Sequence, residues 1–265
     1  LDLPSNAFAD PVGKPAEVID SPYHERDWPE AEWRQLIAHY LGLCALIDDQ
    51  VGRVLAYLDE HNMRDNTIVV FTSDHGDMMG SHRLNKKGYP LHYDEALRVP
   101  MIVAGPTIAT DYRSTSLISL RDLVPTLAEL CSVAIDVSHD GISFAPALRG
   151  DSAWSGRPYV LAESFKFDGK EGGNGVEVDP ATFNLKRDGI NISVRTREYR
   201  YIYRLHDHDE LYDEIRDPGE TSNLATDLRH TDRIGEFRDI ISAALKSSFP
   251  MVAGHIRDEK RIHVL

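Results

Sequence analysis

The sequence has no apolar run approaching the roughly 18 residues that would cross a membrane. It is short of positive charge, with 29 Lys and Arg against 43 Asp and Glu and a formal net charge of −14. Nonspecific nucleic-acid binding needs a basic footprint that displaces counterions from phosphates, so that function class is excluded. An anionic substrate is not, because a bound cation and one or two well-placed Lys or Arg reverse the field locally. Cysteine is scarce: Cys44 and Cys131 lie in apolar helical patterns and are expected to pack in the core, not to form a disulfide or a metal site. No internal repeat, low-complexity tract or targeting segment is legible, and the chain begins at Leu1, so the compartment stays open between cytoplasmic and periplasmic or secreted.

What is present is organised around one stretch, Thr67-Ile68-Val69-Val70-Phe71-Thr72-Ser73-Asp74-His75-Gly76-Asp77. A β-branched apolar run reads as a central parallel strand buried on both faces. Ligands of such sheets sit beyond the carboxyl ends of the strands, which is where Asp74 and His75 fall. A neighbouring carboxylate and imidazole can coordinate one divalent cation, or orient and charge-balance one another, and an Asp-His-Gly turn with no chemistry at all is the bland alternative.

Around this stretch the chain changes texture several times. Residues 1–26 are rich in Pro, Asp, Ser and Ala without a period and read as a connector. From Asp27, a capping box with Glu30 and apolar residues from Trp33 to Leu58 at helical spacing predict one long amphipathic helix ending near His61 or Asn62. The loop from Asp77 to Asp94 carries His82, Arg83, Lys86, Lys87 and His92 and is too long and polar for a simple connection. Asp94, Glu95 and Arg98 are expected to form an ion-pair network behind it. Val99–Ala104 is the next strand and Asp122–Cys131 a second helix. Tyr159–Glu163, Ile190–Thr196, Tyr199–Arg204 and Glu210–Asp213 are short strands of an antiparallel sheet, covered by a closing helix from Asp232 to Phe249. Phe167–Asp188 is expected to be a surface loop. Tyr199, Tyr201 and Tyr203 share one strand face and read as packing, while His206 and His208 make a poor metal signature.

Taken together, Thr72-Ser73-Asp74-His75-Gly76-Asp77-Met78-Met79-Gly80-Ser81-His82, Lys87-Gly88 and Tyr93-Asp94-Glu95-Ala96-Leu97-Arg98-Val99-Pro100 resemble the C-terminal portion of a sulfatase of the alkaline phosphatase superfamily. Asp122-Leu123-Val124-Pro125-Thr126-Leu127, Asp140-Gly141-Ile142-Ser143, Leu211-Tyr212-Asp213, Asp217-Pro218-Gly219-Glu220 and Asn223-Leu224 extend the resemblance to arylsulfatase, choline-sulfatase and phosphonate monoester hydrolase enzymes. The resemblance implies an α/β fold: an alkaline-phosphatase-like sheet flanked by helices, present here as its C-terminal part over residues 27–154. A smaller antiparallel α+β C-terminal subdomain would follow over 155–265, after the connector 1–26.

By the same resemblance, the activity is metal-dependent hydrolysis of a sulfate ester by a formylglycine nucleophile. Asp74 and His75 are implied metal ligands, with Ca2+ the expected ion and Mn2+ or Mg2+ the substitutes. Lys87 would contact the sulfate group, and His82 is a second catalytic candidate. The family's Cys-or-Ser, x, Pro, x, Arg signature is absent: Cys44 precedes Ala-Leu-Ile-Asp and Cys131 precedes Ser-Val-Ala-Ile. The chain is therefore expected to be a C-terminal fragment, inactive alone, whose partners are the missing N-terminal segment and a small-molecule or carbohydrate sulfate ester, with homo-oligomerisation left open. Hydrolysis of phosphonate monoesters or phosphodiesters on the same scaffold is the alternative, and a noncatalytic remnant or binding module is the alternative of a different class.

Overall fold

The computed structural model describes residues 1–9, 13–167, 170–171 and 183–258. In chain order the α-helices are α1 (Ala16–Ile19), α2 (Glu30–Glu60), α3 (Asp94–Leu97), α4 (Leu123–Leu130), α5 (Ala145–Leu148), α6 (Thr231–Leu245) and α7 (Pro250–Asp258). The strands are β1 (Val69–Thr72), β2 (Met101–Ala104), β3 (Val160–Phe167), β4 (Lys170–Glu171), β5 (Gly189–Arg195), β6 (Tyr199–Arg204) and β7 (Glu210–Asp213). They fall into two compact units. One comprises Leu1–Asp2, Trp28–Gly76 and Arg98–Val160, and the other Leu3–Asp27, Asp77–Leu97 and Leu161–Leu265.

The first unit is built on α2, a helix of 31 residues. It starts at Glu30 behind Pro29, with no side-chain cap, so the expected Asp27 capping box does not form. Proline needs no cap to precede a helix, because its extended φ and ψ already set the entry. The capping box that does form is downstream, where Ser119 and Asp122 exchange side-chain and backbone hydrogen bonds. Asp122 also accepts from the Ile142 N–H at 2.8 Å and from Arg157 Nε at 2.8 Å, which ties the Asp140-Gly141-Ile142 turn to the start of α4. Gly141 sits so close to the Arg121 carbonyl that any Cβ there would collide with it.

β1 differs from the sequence reading in its partner. Among the described residues it pairs antiparallel with β2, in the register Val69↔Ala104, Val70↔Val103, Phe71↔Ile102 and Thr72↔Met101. The facing pair Phe71 and Ile102 is 38% and 62% exposed, so one face of this ribbon is uncovered. The same holds for α2, where Leu43, Leu46, Ile47, Val54 and Tyr57 are all more than half exposed. Cys44 and Cys131 are exposed free thiols, contrary to the core placement expected of them. Helical periodicity places Cys44 on a stripe of α2 that no described element covers.

The second unit is a five-stranded sheet in the order β4-β3-β5-β6-β7. β5 pairs antiparallel with β6, and β6 with β7, placing Ile202 opposite both Ser193 and Glu210. Phe237, Ile241 and Leu245 recur at helical spacing on α6 and are buried, with Phe237 stacked on Tyr201 at 5.6 Å. Tyr201 and Tyr203 are fully buried, as the packing reading of that stripe requires. The closing helix stops at Leu245, short of the expected Phe249, and a further helix, α7, follows it, with Pro250 in its first turn where proline is tolerated. Residues 3–9 and 13–27, which show no period in sequence, also pack into this unit. Val18 joins Met78, Leu84, Leu91, Tyr93, Ala96, Ile202 and Tyr212 in one apolar cluster. Most of the expected 167–188 loop lies outside the described residues.

At the centre of this unit is a buried charge cluster. Glu210 accepts from Arg204 Nε at 2.8 Å, Tyr93 Oη at 2.7 Å and Tyr212 Oη at 2.5 Å, with Lys14 Nζ at 3.9 Å. Lys14 donates to Tyr212 Oη at 2.8 Å and to the Glu220 carbonyl at 2.7 Å. Burial alone would raise the Glu210 pKa, but the Arg204 and Lys14 charges and the two tyrosine hydroxyls bring it down to about 2. Breaking such a pair strands a charge in a dry interior, which destabilises by about 3–5 kcal/mol. Glu210→Gln should therefore lower the unfolding free energy of the protein by roughly 3 kcal/mol in urea titrations near neutral pH. An unfolded glutamate titrates near about 4.3, so this stabilisation is complete above that pH and is lost as pH falls toward the folded value. The difference between wild type and variant should accordingly shrink below about pH 4. A gap that stays constant down to acid pH would contradict this role for the carboxylate.

Candidate functional site

β1 ends at Thr72, and the next residues, still in the first unit, hold the expected metal ligands together. Ser73 Oγ donates to the His75 carbonyl at 2.7 Å, and the His75 N–H donates to Asp74 Oδ1 at 2.9 Å. That backbone hydrogen bond holds the Asp74 carboxyl below its ordinary range, so it is ionised at neutral pH. His75 Nδ1 lies 3.0 Å from the Gly76 carbonyl, which can only accept. The proton is thus on Nδ1, and Nε2 is left with its lone pair. Nε2 stands 3.4 Å from Asp74 Oδ2, and both side chains reach solvent.

That separation is what a shared cation requires. Ligand bonds of about 2.1 Å at a tetrahedral angle, or of about 2.4 Å at a right angle, both put donor atoms about 3.4 Å apart. The chemistry of the pair, one anionic oxygen and one neutral nitrogen fixed by a carbonyl, suits a divalent cation. Two donors do not complete a coordination sphere.

Lys87 is placed by the second unit. The 77–87 loop folds back on itself, with the Met78 N–H donating to the Lys86 carbonyl at 3.3 Å and the Gly80 N–H to the Leu84 carbonyl at 2.8 Å. Gly80 takes φ = 101°, a left-handed conformation that glycine enters without strain. The closure brings Asp77 and Lys87 side by side, with Lys87 Nζ 3.7 Å from Asp77 Oδ1. Met78 and Leu84 anchor the loop in the apolar cluster. Lys87 keeps an accessible ammonium held by one carboxylate.

His82 lies elsewhere in that unit. It is 6% exposed, packs on the Tyr93 ring at 4.7 Å, and shares a cluster with Asn6, Glu95 and Glu220. Burial, helped by the Lys14 charge, pushes its pKa down to about 3, so it stays neutral. His92 is also buried, held between Ser193 Oγ at 3.1 Å and Ser164 Oγ at 2.8 Å. His206 bonds the Asp188 carbonyl and His208 pairs with Asp207. Asp94 pairs with Arg195 and Arg200, and Glu95 accepts from Asn6 Nδ2 at 3.1 Å. Sequence reasoning missed Lys14, Arg200, Arg204 and Glu210. The one available signal was Arg200 and Arg204, four apart on a strand, facing the alternating Glu210 and Tyr212 of the next strand.

Two family models match the chain. One, described as Sulfatase, covers residues 6–133, and the other, described as N-sulphoglucosamine sulphohydrolase, C-terminal, covers residues 80–246. This chain belongs to the sulfatase family. A Delta 4,5-hexuronate-2-O-sulfatase of Bacteroides thetaiotaomicron is 34% identical over 218 residues, covering 81% of this chain and 42% of the relative. A solved 2-O GAG sulfatase superposes with a TM-score of 0.80 at 30% identity, over 98% of this chain and 56% of that one. The phosphonate monoester hydrolase of Agrobacterium radiobacter, with a TM-score of 0.64 at 24% identity over 87% of this chain and 43% of that one, shares the fold. This sulfatase chain thus spans about two fifths of the first of these relatives, and its fold is the alkaline-phosphatase-like α/β fold.

If Asp74 and His75 act as a pair, Asp74→Asn should weaken Ca2+ or Mn2+ binding by at least about tenfold, since a coordinating charge is lost while the shape is kept. Isothermal titration calorimetry of the full protein would show this. Unchanged affinity would leave the pair as a polar turn.

Proposed function

We propose that the full protein hydrolyses a sulfate ester, with Asp74 and His75 as two ligands of a divalent cation and Lys87 as the contact to the sulfate group. The observation that carries this reading is the 3.4 Å spacing of an ionised carboxylate oxygen and an unprotonated imidazole nitrogen at the end of β1, in a chain of the sulfatase family. Calcium is the ion that the family resemblance favours. Bound there, the cation would polarise the sulfate oxygens as a Lewis acid.

The residues of this chain do the rest of its share. The Lys87 ammonium meets the negative charge that grows as the ester bond breaks, and charge stabilisation of this kind is typically worth about 10²–10³ in rate. Asp77, 3.7 Å from Lys87 Nζ, limits where that ammonium can point. The nucleophile, a formylglycine hydrate, is assigned to an N-terminal segment outside this chain. Support for such a segment comes from the uncovered apolar face of α2 and from the Phe71 and Ile102 pair, since exposed apolar area on this scale marks an interface. The relatives are also more than twice the length matched. A carbohydrate sulfate is the favoured substrate class, because the names of the relatives specify sulfated hexuronate and N-acetylglucosamine substrates.

Turnover of paired aryl sulfate and aryl phosphonate monoesters by the full protein tests this reading. Wild type should favour the sulfate, and Lys87→Ala should lower kcat by about 10²-fold or more. Asp77→Asn should act more mildly than Lys87→Ala and chiefly on kcat, because the ammonium stays but is less well oriented. Preference for the phosphonate ester would transfer the assignment to the rival activity, and no turnover of either would favour a noncatalytic remnant.

A further inference from the structure

His82, Glu95 and Glu220 come from three separate segments, the 77–94 loop, α3 and the turn after β7, yet converge in the second unit. One ligand-type atom from each lies within 4.8 Å of the other two. His82 is 6% exposed and Glu220 1%. His82 Nδ1 and Glu95 Oε2 have no hydrogen-bond partner, and Glu220 Oε1 makes none either, although Arg200 Nε stands 2.5 Å away in an ion pair. Buried polar atoms are nearly always satisfied, so His82 Nδ1 and Glu95 Oε2, left without partners in a cluster where three ligand-type side chains converge, call for an occupant.

The neighbours do not supply it. Asn6 Nδ2 has two hydrogens and three acceptors in reach, Gly219 O at 3.0 Å, Glu95 Oε1 at 3.1 Å and His82 Nε2 at 3.3 Å. The two shorter contacts use the hydrogens best, so His82 Nε2 keeps only the longest of the three Asn6 contacts, and Nδ1 has no partner. The Lys14 ammonium is committed to Tyr212 Oη, the Glu220 carbonyl and Glu210. Arg200 is divided among Asp94, Glu214 and Glu220.

We propose that His82, Glu95 and Glu220 bind a first-row divalent cation, in a structural site distinct from the Asp74 and His75 pair. One imidazole and two carboxylates form a mixed nitrogen and oxygen set that suits Zn2+. The ion would clip the loop carrying Lys87 to α3 and to the turn after β7, stabilising the folded unit by mass action.

Sulfate turnover is not the readout, so failure here leaves the proposed activity untouched, and the reverse. The full protein carrying Asp74→Ala, to weaken the other pair, is stripped with a chelator and titrated with Zn2+ by calorimetry. Retained metal is counted by elemental analysis. About one equivalent of zinc should remain, with a raised Tm. Adding Glu95→Gln or His82→Asn should weaken binding at least about tenfold, because each removes a ligand. Glu95 is only half-buried, so Glu95→Gln keeps the test decisive if His82→Asn does not fold. No zinc in the Asp74→Ala protein, or equal affinity after Glu95→Gln, overturns the proposal.

Discussion

The constraint on which the second unit depends is the burial of charge in compensated form. Arg200 and Arg204 lie on β6 and Glu210 on the edge strand β7, at positions where an aliphatic side chain would normally sit, and each is buried. Their cost is offset by register. Pairing β6 with β7 sets Arg200 opposite Tyr212 and Ile202 opposite Glu210, so Arg204 reaches the same carboxylate diagonally. Lys14 then closes the cluster from a segment distant in sequence, standing over the Tyr93 and Tyr212 rings at 4.1 and 4.5 Å. A one-residue slip of β7 would turn Glu210 and Tyr212 to the other face, away from Arg204 and Lys14. The network thus sets the strand register and anchors the N-terminal residues at the same time.

The first unit works by a different rule. Its chemistry sits where a short apolar strand stops and the backbone must turn, so that a carboxylate and an imidazole meet with backbone groups fixing both. The Gly76 carbonyl decides the tautomer, and the His75 N–H decides the charge on Asp74. Lys87 is prepared by another route, a loop whose closure places one carboxylate beside one ammonium. In both cases the local backbone orients the reactive atom before any ligand arrives, which limits the reorganisation that catalysis would require.

Elements with a strong period were legible in the sequence. The helix through Trp33 and Leu58, and the strands β6 and β7, lie where their patterns place them, because many residues report the same period. Asp74 and His75 were legible for a simpler reason, since adjacent donors need no tertiary information to be together. The end of α6 at Leu245 and the exposed face of α2 were not. A helical stripe looks the same whether or not something covers it, so Cys44 reads as core and stands exposed. The least legible features were the convergent ones. Lys14 sits in a stretch without period, and His82, Glu95 and Glu220 meet only after three loops have found their places. Charged residues in strands also read as solvated by default, which hid Arg200, Arg204 and Glu210.

The most direct test of the central claim, that this chain supplies one part of a sulfatase site whose nucleophile lies on a preceding segment, is peptide mass mapping of the protein isolated from its source. The expected result is a longer polypeptide in which these residues follow a Cys-or-Ser, x, Pro, x, Arg segment whose Cys or Ser carries the mass loss of conversion to formylglycine. Residues 1–265 found as the whole polypeptide, with no such segment in the same chain or bound to it, would contradict the claim.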